Sequence, residues 1–272
     1  MKKRKAHGHG QFLDIDLIAQ SSLLKDVNAV LKCTVAVCVL IMVMVGNNIL
    51  FSAITVVSMA FITIKIGGVR IATYLKLMLM PLVFIVLGTV AIAISISKNK
   101  VGIINLPLFG YYLCITKYGF LEAFKVSLNA LGGVSSLYML SLSTPMYEVI
   151  EVLKKCKLPQ VVIELMFLIY RYIFILLKMQ SLMHTSAESR LGYSGIKQSF
   201  FSFSHIGANL LAVSFKKAGD YYDAMVSRGY NGNLNFLIEE NKITGWQSIY
   251  AIAFFLFMAT ILITFKLKGW GV

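Results

Sequence analysis

The sequence predicts an all-α polytopic membrane protein with about five transmembrane helices, because the chain is strongly apolar and its apolar residues come in long runs. Hydrophobic residues make up 58% of the 272 residues, charged residues make up 14%, and the mean hydropathy is +0.76. A soluble domain is about half apolar and a quarter charged, so this chain belongs in a lipid bilayer. The net charge of +14 is typical of basic cytoplasmic loops, and without a nucleic-acid-binding pattern we expect no nucleic-acid partner.

The N-terminal region, 1–32, is predicted to be a tail followed by a surface helix. Its basic first residues are not followed directly by an apolar run, so they do not form a signal peptide. Between 12 and 32, apolar residues recur at helical spacing. This pattern predicts a helix that lies on the membrane surface with Asp14 and Asp16 towards water.

Apolar runs place four transmembrane helices within 33–142 and a fifth near the end of the chain. The predicted spans are 35–45, 49–66, 77–96, 119–142 and 249–265. The first two flank the turn signal Gly46-Asn47-Asn48, and each is near the lower length limit for crossing about 30 Å of hydrocarbon. Small residues at 131–136 predict that the fourth span packs against another helix rather than lipid. The last region, 233–272, is predicted to be a polar linker and the fifth span, with Trp246 at the interface.

The region 143–232 is predicted to hold water-facing helical arms rather than simple spans. Thr144 and Pro145 have the residue types of a helix start, and Pro159 begins a long helix that runs to about Arg190. A further arm covers 200–228, where apolar and charged residues alternate at helical spacing. We therefore expect three consecutive helices in this region.

Charges within the long second helix favour a position at the cytoplasmic boundary of the membrane. Glu164, Arg171 and Lys178 recur every seven residues and share one face. Each charge would cost about 2.5–3.5 kcal/mol at the bilayer centre. An amphipathic boundary helix is therefore preferred to a true span over 161–177.

The two longer arms end in near-copies of one short sequence. Residues 189–195 read Ser-Arg-Leu-Gly-Tyr-Ser-Gly, and residues 227–232 read Ser-Arg-Gly-Tyr-Asn-Gly. An Arg in the last turn complements the negative end of the helix dipole, and a Gly just beyond it takes the left-handed cap. The copies are therefore either ordinary helix ends or a repeated functional site. The candidate site residues are Ser189, Arg190, Gly192, Ser227, Arg228 and Gly229.

No motif in the sequence carries catalytic chemistry. The chain has neither the Gly-x-x-x-x-Gly-Lys-Ser/Thr phosphate loop nor a metalloprotease His-Glu motif, and no nucleophile arrangement is recognisable. We therefore expect a non-catalytic subunit with no cofactor of its own. His7 and His9 are weak candidate metal ligands, but two imidazoles make an incomplete site, so a disordered tail is the favoured interpretation.

Most of the sequence, and most strongly the region 141–232, resembles the transmembrane T component of energy-coupling factor (ECF) transporters. The resemblance is carried by Ser-Thr-Pro-Met-Tyr-Glu at 143–148, Leu-Pro at 158–159, Glu-Leu-Met at 164–166, Tyr-Arg-Tyr-Ile at 170–173, and the segments 189–193 and 222–230. Asp14-Ile15-Asp16, with Ala19, Ser22 and Lys32 after it, is similar to the cobalt/nickel branch of that family, CbiQ.

The family's coupling motif is Ala-Arg-Gly, present twice, and this chain departs from it. Ser189 and Ser227 stand where Ala is usual, and Leu191 is inserted between Arg190 and Gly192. The resemblance implies that these two motifs dock into grooves on two ABC-type ATPase subunits.

The resemblance also implies the remaining parts of the transporter. The coupling helices cross each other, the ATPase subunits bind ATP and Mg²⁺, and a separate membrane-embedded S component binds the substrate, which is cobalt or nickel in this branch. The implied location is a prokaryotic cell membrane with the N-terminus and the coupling helices in the cytoplasm. The positive-inside rule predicts the same orientation, and five spans then place the C-terminus outside.

Two other functions stay open. The chain could be a T component that serves vitamin-type S components, although His7, His9 and Asp14-Ile15-Asp16 favour a metal. It could also be a stand-alone secondary carrier, but a carrier should show inverted repeats and polar sites near the bilayer midplane. We see neither pattern in the sequence.

Overall fold

The computed structural model describes residues 10–97, 104–108, 111–232 and 245–267, and this part of the chain is mainly helical. Its α-helices are α1 (Gly10–Ser21), α2 (Ala29–Gly46), α3 (Ile49–Phe61), α4 (Ile71–Ala93), α5 (Lys117–Ser143), α6 (Met146–Lys155), α7 (Gln160–Ser189), α8 (Ile196–Val226) and α9 (Gly245–Leu267). A 3-10 turn, Leu23–Asp26, precedes α2, and a π-helical turn, Ile62–Ile66, extends α3. The predicted polytopic helical class is confirmed, since five described helices are long and apolar enough to cross a membrane.

The chain divides into two compact units. The membrane unit comprises Asp14–Pro145 and Glu240–Val272, and its described part holds most of α1, α2 to α5, and α9. The arm unit comprises Met1–Leu13 and Met146–Glu239, and its described part holds α6, α7 and α8.

Helix α5 is the central helix of the membrane unit and packs against α2, α3 and α4. A stripe of mostly small, buried residues runs along it: Gly119, Ala123, Gly132, Ser135, Ser136, Met139, Leu142 and Ser143. A Cβ on Gly132 would lie 3.1 Å from Val43 Cγ1, and the Ser136 hydroxyl donates to the Ala36 carbonyl at 2.7 Å. The predicted packing of this helix against other helices is therefore confirmed.

The predicted hairpin of the first two spans is also confirmed. Helix α2 ends at Asn47, whose φ of 39° is left-handed, and the Asn48 side chain accepts a hydrogen bond from the Leu50 N–H at the start of α3. The hairpin packs around the main core of the unit, which consists of Ala36, Val39, Val43, Phe51, Met59, Met139 and Met258.

The helices that meet the length and hydropathy requirement for a span are α2, α3 with its π-helical turn, α4, α7 and α9. This set differs from the prediction, because it includes α7 and omits α5. Helix α5 has 27 residues, about 40 Å of helix, and its small polar residues are buried against neighbouring helices, so low hydropathy does not exclude it from the bilayer. Helix α7 exposes Arg171 and Lys178, which would be costly in hydrocarbon. That α5 rather than α7 is one of five spans stays a prediction, which the buried stripe of α5 and the exposed charges of α7 favour.

Helix α1 packs more deeply than a surface helix. Ala19 is buried, and Ile15 and Ile18 pack against a second core cluster formed by residues of α4, α5 and the α3–α4 connection. The prediction that Asp16 faces water is only partly met, because Asp16 is half-buried and accepts a hydrogen bond from the side chain of Gln20. The side chain of Asp14 lies outside the described residues. The amphipathic sequence of α1 therefore reflects packing against other helices as well as exposure of one side to water.

A small antiparallel sheet separates α4 from α5, where sequence analysis predicts the end of a span and a linker. Its strands are β1 (Ile94–Ser97), β2 (Ile104–Leu108) and β3 (Tyr111–Ile115), and β3 is the central strand. The third span therefore begins earlier than predicted and ends at Ala93 rather than at 96. The alternation Ile-Ser-Ile-Ser in β1 has the period of a strand, and it overrides the apolar run at this point.

Candidate functional site at two matched helix ends

Helix α7 ends in a Schellman motif around Arg190. The Gly192 N–H donates to the Ala187 carbonyl at 2.9 Å, and the Leu191 N–H donates to the Glu188 carbonyl at 3.1 Å. These bonds define a motif in which the residue after the helix cap is left-handed. That residue is Leu191, with a φ of +60°.

Helix α8 ends in the same motif around Arg228. The Tyr230 N–H donates to the Met225 carbonyl, and the Gly229 N–H donates to the Val226 carbonyl, both at 3.0 Å. Gly229 is the left-handed residue, with a φ of +83°. The two arginines are therefore equivalent cap residues.

The hydrogen bonds align the two ends residue by residue. They match Ser189 with Ser227, Arg190 with Arg228, and Leu191 with Gly229. Sequence comparison instead equates Gly192 with Gly229 and treats Leu191 as an insertion. The predicted left-handed glycine is confirmed at Gly229 and is wrong at Gly192, because Leu191 takes that conformation. A Leu there costs about 1–2 kcal/mol, whereas Gly reaches the same φ without a side-chain clash.

Gly192 is required for a close contact. A Cβ on it would lie 2.5 Å from Ser202 Oγ and 2.8 Å from the Ala187 carbonyl oxygen. The Ser202 hydroxyl donates to the Gly192 carbonyl at 2.8 Å, which ties α8 to the turn. The Tyr193 ring stacks on His184, with ring centroids 4.6 Å apart. The turn between the arms is thus held by one hydrogen bond and one ring contact.

The candidate residues face outward. Ser189, Arg190, Ser227, Arg228 and Gly229 are exposed, and Gly192 is half-buried. Within the described residues, no ion pair involves either guanidinium. Each guanidinium offers five N–H donors in a planar fork, so both helix ends can bind carboxylates or carbonyls of another molecule.

Helix α8 exposes an apolar stripe along its 31 residues, none of which is buried. The stripe consists of Ile196, Phe200, Phe203, Leu211, Phe215 and Tyr222. The arms also contact each other at the opposite end of the pair, where the Tyr172 and Tyr221 rings have centroids 5.0 Å apart. An exposed apolar stripe of this length is typical of a surface that binds a partner or a membrane.

Sequence analysis missed Leu191 as the strained residue and Ser202 as the residue that holds the turn. The Ser-Arg repeat could have pointed to Leu191, if the two copies are aligned from their Ser residues without a gap. No local signal identifies Ser202. The weak candidates His7 and His9 lie outside the described residues, and within the described residues no group of three or more His, Cys, Asp or Glu side chains could hold a metal ion.

Known proteins resemble the chain across both units. The CbiQ family, described as cobalt transport protein, matches residues 20–238. An uncharacterised protein of Methanocaldococcus jannaschii is 30% identical over 223 residues, which cover 82% of each chain. The cobalt transport protein CbiQ of Salmonella typhimurium is 25% identical over 134 residues, 49% of this chain and 60% of that protein.

A further relative is a longer protein. A protein of Methanocorpusculum labreanum, named as a fused cobalt transport protein CbiMQ, is 30% identical over 247 residues, which cover 91% of this chain but only 41% of that protein. The match to the family covers α2 to α8 and ends before α9. The chain is therefore a multi-pass membrane protein that belongs to the CbiQ family of cobalt transport proteins.

Proposed function

We propose that the chain is the T component of an ECF-type importer for cobalt or nickel ions. In this role it links ATP hydrolysis by two ATPase subunits to movement of a membrane-embedded S component that binds the ion. The observation that carries the proposal is the pair of matched helix ends, each of which presents an exposed Arg at the same position of the same motif. Two helix ends with the same cap motif and an exposed Arg suit docking on two ATPase subunits.

The proposed mechanism is mechanical. ATP binding brings the two ATPase subunits together, and hydrolysis lets them separate. Each arm is attached to one subunit through Arg190 or Arg228, so the arms change their angle with the nucleotide state. The nucleotide state can shift the conformational equilibrium of this chain only by the difference between the chain's contact free energies with the two states of the ATPase pair.

The cargo is inferred from the family. The description of the family and the names of two relatives refer to cobalt, which favours a metal over the alternative of vitamin-type S components. The proposed location is a prokaryotic cell membrane, with the N-terminus and both arms in the cytoplasm.

A groove in the membrane unit supports the proposed S-component contact. It has a volume of about 1030 Å³ and lies between α2, α3 and α9, where small residues such as Ala53, Ser58 and Ala251 form part of its apolar lining. Small residues allow close approach of another helix. The fused relative extends well beyond the part that matches this chain, which is consistent with a second membrane protein that works beside it. The substitution Ala251→Trp should then release the S component and leave the ATPase subunits bound.

The arginines provide the test of the proposed ATPase contact. We would replace Arg190 and Arg228 by Ala, singly and together, and measure how much ATPase co-purifies with the full chain from native membranes. If the arginines anchor the arms, each truncation leaves a partner group unpaired and costs about 2 kcal/mol or more in binding. Loss of both should abolish assembly, since the second docking acts through effective concentration.

Lys178→Ala is the matched control, because Lys178 is an exposed cation on α7 far from its end. It should leave ATPase binding unchanged. If the arginines act only as helix caps, their loss should cost a few tenths of a kcal/mol of helix stability. Full retention of the ATPases and of cobalt uptake by the double variant would contradict the proposal.

A further inference from the structure

We propose that Leu191 is an apolar anchor for the ATPase subunit that receives the first arm, and that it makes the two arm ends unequal partners. This inference rests on the proposed function. It goes beyond the arginines, since those are shared by both ends. Leu191 and Gly229 are the aligned left-handed residues that directly follow the two arginines, and they differ in chemical character.

The backbone does not explain the presence of Leu at this position. Leu191 and Gly229 hold the same left-handed position, with φ of +60° and +83°. A Gly or an Asn would make the same turn with less strain, because a bulky apolar side chain is disfavoured in the left-handed region. The strain is therefore a feature of the Leu side chain and not of the turn.

Packing within the chain does not explain the Leu either. Its side chain is 73% exposed, whereas a Leu retained for stability would be buried. A strained residue whose side chain points to solvent is a candidate for function, since an observed backbone outlier at a surface needs an external reason. Leu191 directly follows Arg190, so an exposed apolar residue and an exposed cation are neighbours in the sequence.

The end of α8 has no side chain at the equivalent position. A Cβ on Gly229 would meet nothing within 4 Å, so this end presents open backbone beside Arg228. The first arm thus fits a surface with an apolar pocket next to an acceptor for Arg190. The second arm fits a surface that approaches the backbone closely. Partner residues that fill a desolvated pocket carry a large share of binding energy.

The test compares substitutions that keep the left-handed backbone. We would purify the full chain in detergent as wild type, Leu191→Asn, Leu191→Gly and Leu191→Met, and titrate each with the purified ATPase pair that co-purifies with the wild type. The Asn and Gly variants should bind the ATPase pair at least about tenfold more weakly, although their own melting temperatures rise as strain is relieved. The Met variant keeps an apolar side chain of similar size and should bind within about threefold of wild type.

Lys157→Asn is the matched control, because Lys157 is another exposed left-handed residue of the arm unit, with a φ of +59°, and it lies outside the candidate site while Asn tolerates the same conformation. It should bind like wild type. Wild-type affinity in the Asn and Gly variants at Leu191 would overturn this inference alone, provided the double arginine variant still loses the ATPases. Absence of any ATPase binding by the wild type would overturn both the inference and the proposed function.

Discussion

The ammonium of Lys32 donates a hydrogen bond to the carbonyl oxygen of Ser143 at 3.1 Å, across 111 residues of sequence. It also donates to the Leu24 carbonyl at 3.1 Å. Lys32 is buried, with 5% of its surface exposed, near the start of α2. One side chain therefore joins the beginning of the first span, the turn before it and the end of α5.

Replacing this lysine should loosen the membrane unit. In Lys32→Met the two carbonyls lose a charged donor, and hydrogen bonds to charged groups contribute about 1.5–3 kcal/mol each. We expect a drop of about 2 kcal/mol or more in stability, seen as a lower midpoint of thermal unfolding in detergent. Lys76→Met is the control, since Lys76 is exposed. Equal midpoints for the two variants would show that the Lys32 contacts add nothing.

The two glycines of the matched ends should respond differently to Ala. In Gly192→Ala the new methyl group would lie 2.8 Å from the Ala187 carbonyl oxygen, so the turn has to open. We expect the arm unit to lose about 2 kcal/mol or more of stability, as at an overpacked site. In Gly229→Ala only the left-handed φ is penalised, at about 1–2 kcal/mol. Protease resistance of the arm unit in the full chain measures both. A larger loss from Gly229→Ala would contradict this order.

Labelling of native and introduced cysteines tests the predicted topology. If α2, α3, α4, α5 and α9 are the spans and the arms are cytoplasmic, a Cys placed after Gly271 should react with an impermeant reagent in intact cells. Cys156, which is exposed after α6, should react only after permeabilisation. A Cys at position 196, where the native Ile is 94% exposed, separates the alternatives. Its reaction in intact cells would show that α7 crosses the membrane.

The N-terminal histidines should be dispensable. Two imidazoles on a tail do not close a coordination shell, so His7→Ala combined with His9→Ala should leave cobalt uptake by the assembled transporter largely intact. Substitution is preferable to deletion of the tail, because deletion would also remove basic residues that bias orientation. A near-total loss of uptake by the double variant would identify the tail as a site that delivers metal.

Sequence analysis captured the helices with strong periodicity or a clear boundary signal, such as the α2–α3 hairpin and the start of α7 after Pro159. Sequence analysis failed where the pattern of one element runs into that of the next. The strand β1 continues an apolar run, and only its alternation of Ile and Ser distinguishes it from α4. At the candidate site the Ser-Arg repeat located both helix ends. Residue preference assigns the left-handed conformation to the Gly that follows Leu191, so only an ungapped alignment of the two Ser-Arg copies could have indicated Leu191.

The small, polar stripe of α5 also has a consequence for biosynthesis. A segment of such modest hydropathy partitions poorly into lipid by itself, because its serines and glycines gain little from hydrocarbon. Chains emerge from the ribosome N-terminus first, so α2, α3 and α4, the helices against which α5 packs, are synthesised before it. We infer that α5 enters the bilayer by pairing with helices already there. In a chain that lacks α2, α3 and α4, α5 should then fail to insert into the bilayer, although its own sequence is unchanged.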